Sequence, residues 1–367
     1  MTSVRTVLIV GGGPAGCTLA TLLARADVAV EIVERNPNFS ALGSGITLQG
    51  AALQVLDQVG VLTALRQFGD RFSELTIRSV DGGAVTTNPT PTTMGAYRPK
   101  LAELLAGAAV DAGAKVRLGV TVDSFSQDEA GVDVVFSDGD RGRYDLLVGA
   151  DGVRSAIRTA LGIPDAPTAV GMGIWRVHAR RPASVTHSEI TYDGPCYIAG
   201  YTPTGPDTLY AYLVEPAQDR SDDDAERTVA EMRRLAAPYK GPWEQIREDI
   251  TDPDRINYTV FEHMLIDGPW NRGRAVLIGD AAHVCPPTLA LGAAMAMEDA
   301  AVLAELLITR DRVNQSLFDS FVARRIPRAS AVVDASMQLA TWLLHRDRNA
   351  DVPGLMQRIY GLLARPA

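Results

Sequence analysis

Cysteine is scarce in this 367-residue chain. Cys17, Cys196 and Cys285 stand far apart, and no two form a C-x-x-C pair. That argues against a disulfide framework, a zinc cluster and a dithiol reductase. Histidine is nearly as rare, with five residues and none at metal-ligand spacing. Basic runs are missing too. With 35 Lys+Arg against 44 Asp+Glu the net charge is −9, which makes a nucleic-acid backbone a poor partner. No apolar run reaches membrane-spanning length, and the first residues predict no signal peptide. These absences lead to the expectation of a cytoplasmic protein that binds neither nucleic acid nor membrane. The chain exceeds the ~250–300 residues at which a single core stops growing, so two lobes are expected.

What is present begins with a buried strand, Thr6 to Val10, followed at once by GGGPAG, an Ala/Leu-rich helix from Cys17, and a second strand from Val28 to Val33. Helical spacing recurs over residues 51–65, and Lys100 to Ala112 reads as a helix. Strands are expected around a turn at Asp81-Gly82-Gly83, after which Pro89 and Pro91 should break regular structure. Lys115 to Leu118, Val120 to Phe125, Val132 to Phe136 and Tyr144 to Val148 read as short strands. From Met172 to His263 alternating patterns predict antiparallel strands, interrupted by a helix near Asp224 to Leu235, with Asp222 to Asp224 capping it or facing solvent. A buried strand returns at Ala275, and helices follow over 295–307, 315–345 and 353–364. The fold class is therefore α/β (α+β): a Rossmann-like nucleotide-binding domain with an inserted, mainly antiparallel β-sheet domain. The division expected is 1–73, 96–170 and 270–345 for the first, 74–95 and 171–269 for the second, and 346–367 as a C-terminal helical segment.

In the glycine turn, Gly11, Gly13 and Gly16 hold G-x-G-x-x-G register, with Pro14 and Ala15 between the last two. The first glycine permits a tight turn, the second lets backbone approach a pyrophosphate, and the third lets helix and strand pack closely. The helix N-terminus offers free N–H groups to phosphate. Glu34 ends the second strand, where a carboxylate accepts hydrogen bonds from ribose hydroxyls. Arg35 reads as an adenine-side or surface residue, because the adjacent glutamate repels a 2′-phosphate. This motif alone does not separate FAD from NAD.

Two later junctions repeat the pattern. Residues 145–155 run as an apolar strand into Gly149-Ala150-Asp151-Gly152, with a helix starting near Ser155. Residues 274–287, RAVLIGDAAHVCPP, end a strand at Gly279-Asp280. Either one alone reads equally as a turn with a capping aspartate. Together, beside the first motif, they point to a dinucleotide cofactor.

Over residues 5 to 345 the chain resembles the group A FAD-dependent monooxygenases, the para-hydroxybenzoate hydroxylase-like enzymes. The resemblance rests on GGGPAG with Glu34, on Arg98 ahead of Leu101 and Leu104-Leu105, on GADGVRS, and on GDAAHVCPP with Gly292 and Glu298-Asp299-Ala300, all in the family's order. It implies FAD as cofactor, with Gly11, Gly13 and Gly16 at the pyrophosphate and Glu34 at the adenosine ribose. It also implies Arg98 reaching the cofactor, Asp280 at the ribityl chain, and Gly292, Ala293 and Ala294 approaching the flavin through their backbone. Asp151 resembles a residue used toward both FAD and nicotinamide, and the Val122 backbone would meet the adenine. The chain departs from the family at Leu289-Ala290-Leu291, where glutamine is common at position 291, and at Ala294, where asparagine often stands.

The implied reaction is NAD(P)H-dependent hydroxylation of a small phenolic or heteroaromatic substrate by O2 through a flavin C4a-hydroperoxide. The choice of NADH or NADPH is left open. The cofactor does the chemistry, so the protein must bind, orient and exclude water. Candidate substrate contacts on the inserted sheet are Trp175, Arg176, His178, Tyr201, Tyr210 and Tyr212. Arg176 suits a carboxylate, while His178 or a tyrosine suits phenol deprotonation. Pro286 and Pro287 would wall the reactive edge of the ring. His283 reads as shaping its turn, and Cys285 as a packed thiol. Alternatives on the same fold are an epoxidase or antibiotic-modifying oxygenase, and a non-catalytic flavin- or ligand-binding protein. A monomer or homodimer is expected.

Overall fold

The computed structural model describes residues 2–39, 43–192 and 194–367. A six-stranded sheet runs in the order Asn271–Arg272, Ala275–Leu277, Leu146–Gly149, Thr6–Val10, Ala29–Glu34, Lys115–Leu118. Its last five strands are parallel, and Asn271–Arg272 is an antiparallel edge. Leu8, Ile9, Leu146, Leu147, Val148 and Leu277 are fully buried. A parallel sheet sandwiched between helices demands such unbroken apolar strands, which is why the sequence shows no alternation there. The Pro14–Ala24, Arg98–Asp111 and Gly292–Thr309 helices join these strands in one core.

A nine-stranded, mainly antiparallel sheet forms the second layer, and the α/β (α+β) expectation holds. Thr168–Arg180 lies between Thr208–Pro216 and Ile256–Leu265. One face packs on the Ala225–Ala236 and Pro242–Asp249 helices. The other packs on the Gln315–His345 helix through Met172, Ile174, Val214 and Ala340. Ile46–Gln49 also joins this sheet, pairing with residues 93–96. A third, three-stranded meander spans Val122–Gln127, Val132–Phe136 and Arg141–Tyr144. Among the described residues no helix is long and apolar enough to cross a membrane.

Three local expectations need correction, and one helix was not foreseen. Pro89 and Pro91 do not interrupt structure. They sit inside the Ala84–Ala96 strand, where the outer edge has no partner until residue 93, and proline is tolerated on such an edge. Residues 51–65 form two helices, Ala51–Gln58 and Leu62–Leu65, parted at Gly60 with φ +76°. Tyr144 to Val148 is divided between two sheets at Asp145, whose carboxylate accepts the N–H groups of Arg5 (2.7 Å) and Thr6 (3.0 Å). The Pro242–Asp249 helix went unanticipated, although Pro242 in its first turn and Glu244 accepting the Gly241 N–H are start signals.

Candidate functional site

The glycine turn is a steric necessity. Gly11 has φ +110°, and a Cβ there would lie 2.3 Å from the Ala150 carbonyl oxygen. A Cβ on Gly16 would lie 2.0 Å from the Gly11 oxygen. Beside Gly13, by contrast, nothing approaches within 4 Å. No side chain caps the Pro14–Ala24 helix, whose second residue is Ala15, so its first N–H groups remain available to an anion. Glu34 is held at the strand tip by the N–H groups of Gly12 and Asn36, each at 2.8 Å. The Val120 N–H reaches the Glu34 carbonyl at 3.1 Å, which brings the segment leading to Val122 alongside. Arg35 is exposed. Cys17 donates to the Gly12 carbonyl at 3.2 Å, and burial, helped by Glu34, pushes its thiol up to about 12.

At the second junction Asp151 is engaged by its own chain. It accepts from Ser155 Oγ at 2.6 Å and from the Ile157 N–H at 3.1 Å, and so fixes the start of the Ala156–Ala160 helix. The sequence reading missed Arg158. Its guanidinium donates to the Ala281 carbonyl (3.1 Å) and the Val153 carbonyl (2.9 Å), tying the second junction to the third. A basic residue one turn into a helix that follows an Asp-Gly junction was the available signal.

At the third junction a Cβ on Gly279 would lie 3.0 Å from the Ala296 Cβ and 3.3 Å from the Ala15 Cβ. Two helix N-termini and the aspartate turn therefore converge. The Asp280 side chain is open to water yet surrounded by protein. Desolvation pushes its carboxyl up, offset by the charges of His283 and Arg98. Asp299 stands behind this turn, accepting the Gly279 N–H (2.8 Å) and His283 Nε2 (2.6 Å), which makes His283 the structural residue expected. Next, Pro286 is buried and Pro287 is exposed at the head of a short 3-10 turn. Ala290 follows in the left-handed region with φ +54°. Leu289 and Leu291 are 4% and 2% exposed, so the position where glutamine is common points into the core here. Gly292, Ala293 and Ala294 open the Gly292–Thr309 helix without a side-chain cap. Burial pushes the neighbouring Cys285 thiol up to about 12.

Strand alternation sorts the substrate candidates into two rows. Arg176, His178, Tyr210 and Tyr212 share one face. Trp175 and Tyr201 share the other, and this corrects their expected role. Trp175 donates to Glu215 Oε1 at 2.8 Å, while Tyr201 donates to Glu189 and packs edge-on against Trp243 under the covering helices. Tyr201→Phe is accordingly expected to cost about 1 kcal/mol in a denaturation experiment, as for one lost hydrogen bond. Substrate KM should not change, and a raised KM would return Tyr201 to the site.

In the first row Arg176 donates to Thr259 Oγ1 at 2.9 Å and meets no carboxylate among the described residues. Desolvation and the nearby Arg98 pull it down to about 10, against the opposing effect of Tyr210, so it stays charged at neutral pH. The Tyr210 hydroxyl pairs with Thr47 Oγ1 at 2.7 Å, and its ring stacks on Tyr212 at 5.4 Å. His178 stacks on Tyr97 at 4.3 Å, and its Nε2 is buried without a partner among the described residues. Burial, then the Arg255 charge, lowers its pKa, favouring the neutral ring. Two surface grooves of about 520 Å³, one beside Trp175 and Arg220 and one along Ser124 to Arg143, lie off this row. Arg220 in the first and Arg143 in the second already pair with neighbouring carboxylates.

Three strand-to-helix junctions facing a row of Arg, His and Tyr define a dinucleotide-cofactor oxidoreductase. An FAD binding domain family model matches residues 5–336, and the chain belongs to that family. It is 31% identical to aurachin C monooxygenase/isomerase of Stigmatella aurantiaca, over 91% of this chain and 88% of that one. It is also 31% identical to the 2-heptyl-3-hydroxy-4(1H)-quinolone synthase of Pseudomonas aeruginosa, over 82% and 80%. Klebsiella pneumoniae HpxO, solved with FAD and uric acid, superposes with a TM-score of 0.83 at 20% identity, covering 98% of this chain and 92% of that one. The chain is an FAD-dependent monooxygenase of the group it resembles in sequence. FAD fits the residues present: an uncapped helix N-terminus with open space at Gly13, a fixed ribose-side carboxylate, and an enclosed aspartate facing water.

Proposed function

We propose that FAD lies across the three junctions and that a small phenolic or heteroaromatic substrate stacks beside it against Tyr210 and Tyr212. The pyrophosphate rests on Gly11 to Gly16, the adenosine ribose on Glu34, and the ribityl chain on Asp280. The flavin ring meets the N–H groups of Gly292 to Ala294, with Arg98 reaching in from its helix and Val122 beside the adenine. The bound flavin supplies hydride acceptance from NADH or NADPH and activation of O2. Arg176 balances the negative charge of a carboxylate, phenolate or enolate and orients the ring. His178, neutral and with a free Nε2, accepts a proton from a ring hydroxyl. Pro287 and the buried Leu289 and Leu291 wall the site from bulk water, which strengthens each charge interaction inside it. Asp151 acts through the turn it caps. The nucleotide-binding segments serve the cofactor and the inserted sheet serves the substrate. A monomer or homodimer in the cytoplasm suits a reaction fed by NAD(P)H.

The observation carrying this reading is Arg176, half-buried on the strand face of Tyr210 and Tyr212, bonded to Thr259 and with no carboxylate partner among the described residues. The quinolone and aurachin relatives make bicyclic 4-quinolones the first compounds to test beside hydroxybenzoates. The assay follows NADH and NADPH oxidation and O2 uptake with each compound, then product mass. A substrate-stimulated rate and a product heavier by one oxygen are expected. Oxidation that never yields an oxygenated product from any aromatic would sink the proposal. Arg176→Gln should retain FAD and raise substrate KM about ten- to a hundredfold, the range for losing a charged hydrogen bond.

A further inference from the structure

The Val352–Leu363 helix is the last of the described elements, and its carbonyls are not left to solvent. Arg328 donates to the carbonyls of Leu362 (3.1 Å) and Arg365 (3.0 Å). The same guanidinium grips Glu298 with two hydrogen bonds, Nε to Oε2 at 2.9 Å and Nη2 to Oε1 at 2.5 Å. Glu298 Oε2 also accepts Arg325 Nη1 at 2.5 Å, and Arg325 Nε donates to Asp299 Oδ1 at 2.6 Å. The other Asp299 oxygen holds the Gly279 N–H and His283. Side chains thus run without a gap from residue 365 to the turn that carries Asp280. All four charged members are 5% exposed or less, and Arg325 and Asp299 are at 0%.

We infer that this buried relay couples the C-terminal helix to FAD affinity, with Arg328, Glu298, Arg325 and Asp299 as positioning residues for Asp280. The inference rests on the reading that Asp280 faces the cofactor. Two guanidinium groups and two carboxylates balance only when every link is made. A buried charge that loses its partner must find another, so a break at one end redistributes hydrogen bonds toward the other. Gly279 has φ +61° and is packed against Ala15 and Ala296, so its N–H has little freedom to find a new acceptor without moving Asp280. Coupling of this kind is reciprocal: if the helix helps to hold FAD, FAD must steady the helix.

The test uses the full chain. Arg328→Met keeps the aliphatic volume and severs the relay at Glu298, three links from the turn that carries Asp280. Its FAD dissociation constant, read by flavin fluorescence, is expected to rise about tenfold, within the usual range of coupling. Leu307→Ala, at the far end of the Gly292–Thr309 helix, is the control for general loss of stability and should leave FAD affinity within about twofold. Hydrogen exchange over residues 355–363 should slow when FAD is added to the wild-type protein and show no such change in Arg328→Met. FAD affinity unaltered by Arg328→Met overturns the inference, as does equal protection of the helix in both proteins. Asp280→Ala separates the two ideas: wild-type FAD affinity there removes the reading of Asp280 on which the relay depends.

Discussion

Gly16→Ala protein is expected to emerge from purification colourless, with FAD binding weakened a hundredfold or more. The added methyl would sit 2.0 Å from the Gly11 carbonyl oxygen, a backbone atom with no rotamer by which to retreat. The turn must open, and Gly11 cannot yield, because its own outward side lies against Ala150. Overpacking of this severity costs roughly 3 kcal/mol, and every 1.4 kcal/mol charged to the bound geometry is tenfold in affinity. The ratio of flavin absorbance to protein measures the effect. Gly13→Ala gives the contrast. With nothing within 4 Å, its methyl should leave the apoprotein's melting temperature alone and still obstruct the approach of a pyrophosphate. Wild-type flavin content in Gly16→Ala would mean that the glycine turn is not where the dinucleotide rests.

The second large effect concerns stability. Arg325→Met is expected to lower the unfolding free energy by about 3–5 kcal/mol, because Glu298 and Asp299 would be left buried with too little positive charge. Urea unfolding of the apoprotein reads this directly, and a loss below about 1 kcal/mol would show the cluster to be adaptable. Its pH dependence has a definite sign. Desolvation would raise the Asp299 carboxyl, but His283 and Arg325 outweigh it and hold the group below the ordinary carboxylate range. A depressed carboxylate contributes stability in full above its unfolded value near ~4, and that contribution fades as the pH falls through the lower folded value. The wild-type protein should therefore lose stability more steeply than Arg325→Met in acid.

The cofactor side of the site was legible because each part of it is local. A strand, a glycine or aspartate turn and a helix start lie within a dozen residues, and their chemistry is written in that order at Gly11, Asp151 and Asp280. The substrate side was half legible. Period-two alternation puts Tyr210 and Tyr212 on one face of their strand, but the pairing of Arg176 with Tyr212 comes from the register, and alternation does not say which face of a sheet a helix will cover. Trp175 shares its strand with Arg176 and His178, Tyr201 lies in the strand next to that of Tyr210 and Tyr212, and only the packing of Trp243 and Met232 on their side assigns it. Arg158 and the Arg325–Arg328 pair were missed for a different reason. Their partners lie 26 residues or more away in the chain, except for Val153, and an arginine on a helix looks solvated until the fold brings carbonyls and carboxylates to it. Pro89 and Pro91 misled because a proline's meaning depends on whether its strand has a neighbour, which is a property of the sheet.

The order of strands in the nucleotide sheet has a bearing on how the protein comes into being. Thr6–Val10 finds one neighbour early, in Ala29–Glu34, but its other neighbour is Leu146–Gly149, and that strand in turn waits for Ala275–Leu277. A ribosome must release most of the chain before the last parallel strand can dock. Until then an apolar edge stands open, as happens in any sheet built from distant segments. The inserted sheet can assemble much of itself in that interval, since Thr168–Arg180, Ile198–Pro203 and Thr208–Pro216 are close along the chain. The flavin therefore meets a site whose third wall is the last to be built, and a nascent enzyme has no cofactor to rely on while its longest-range contacts form.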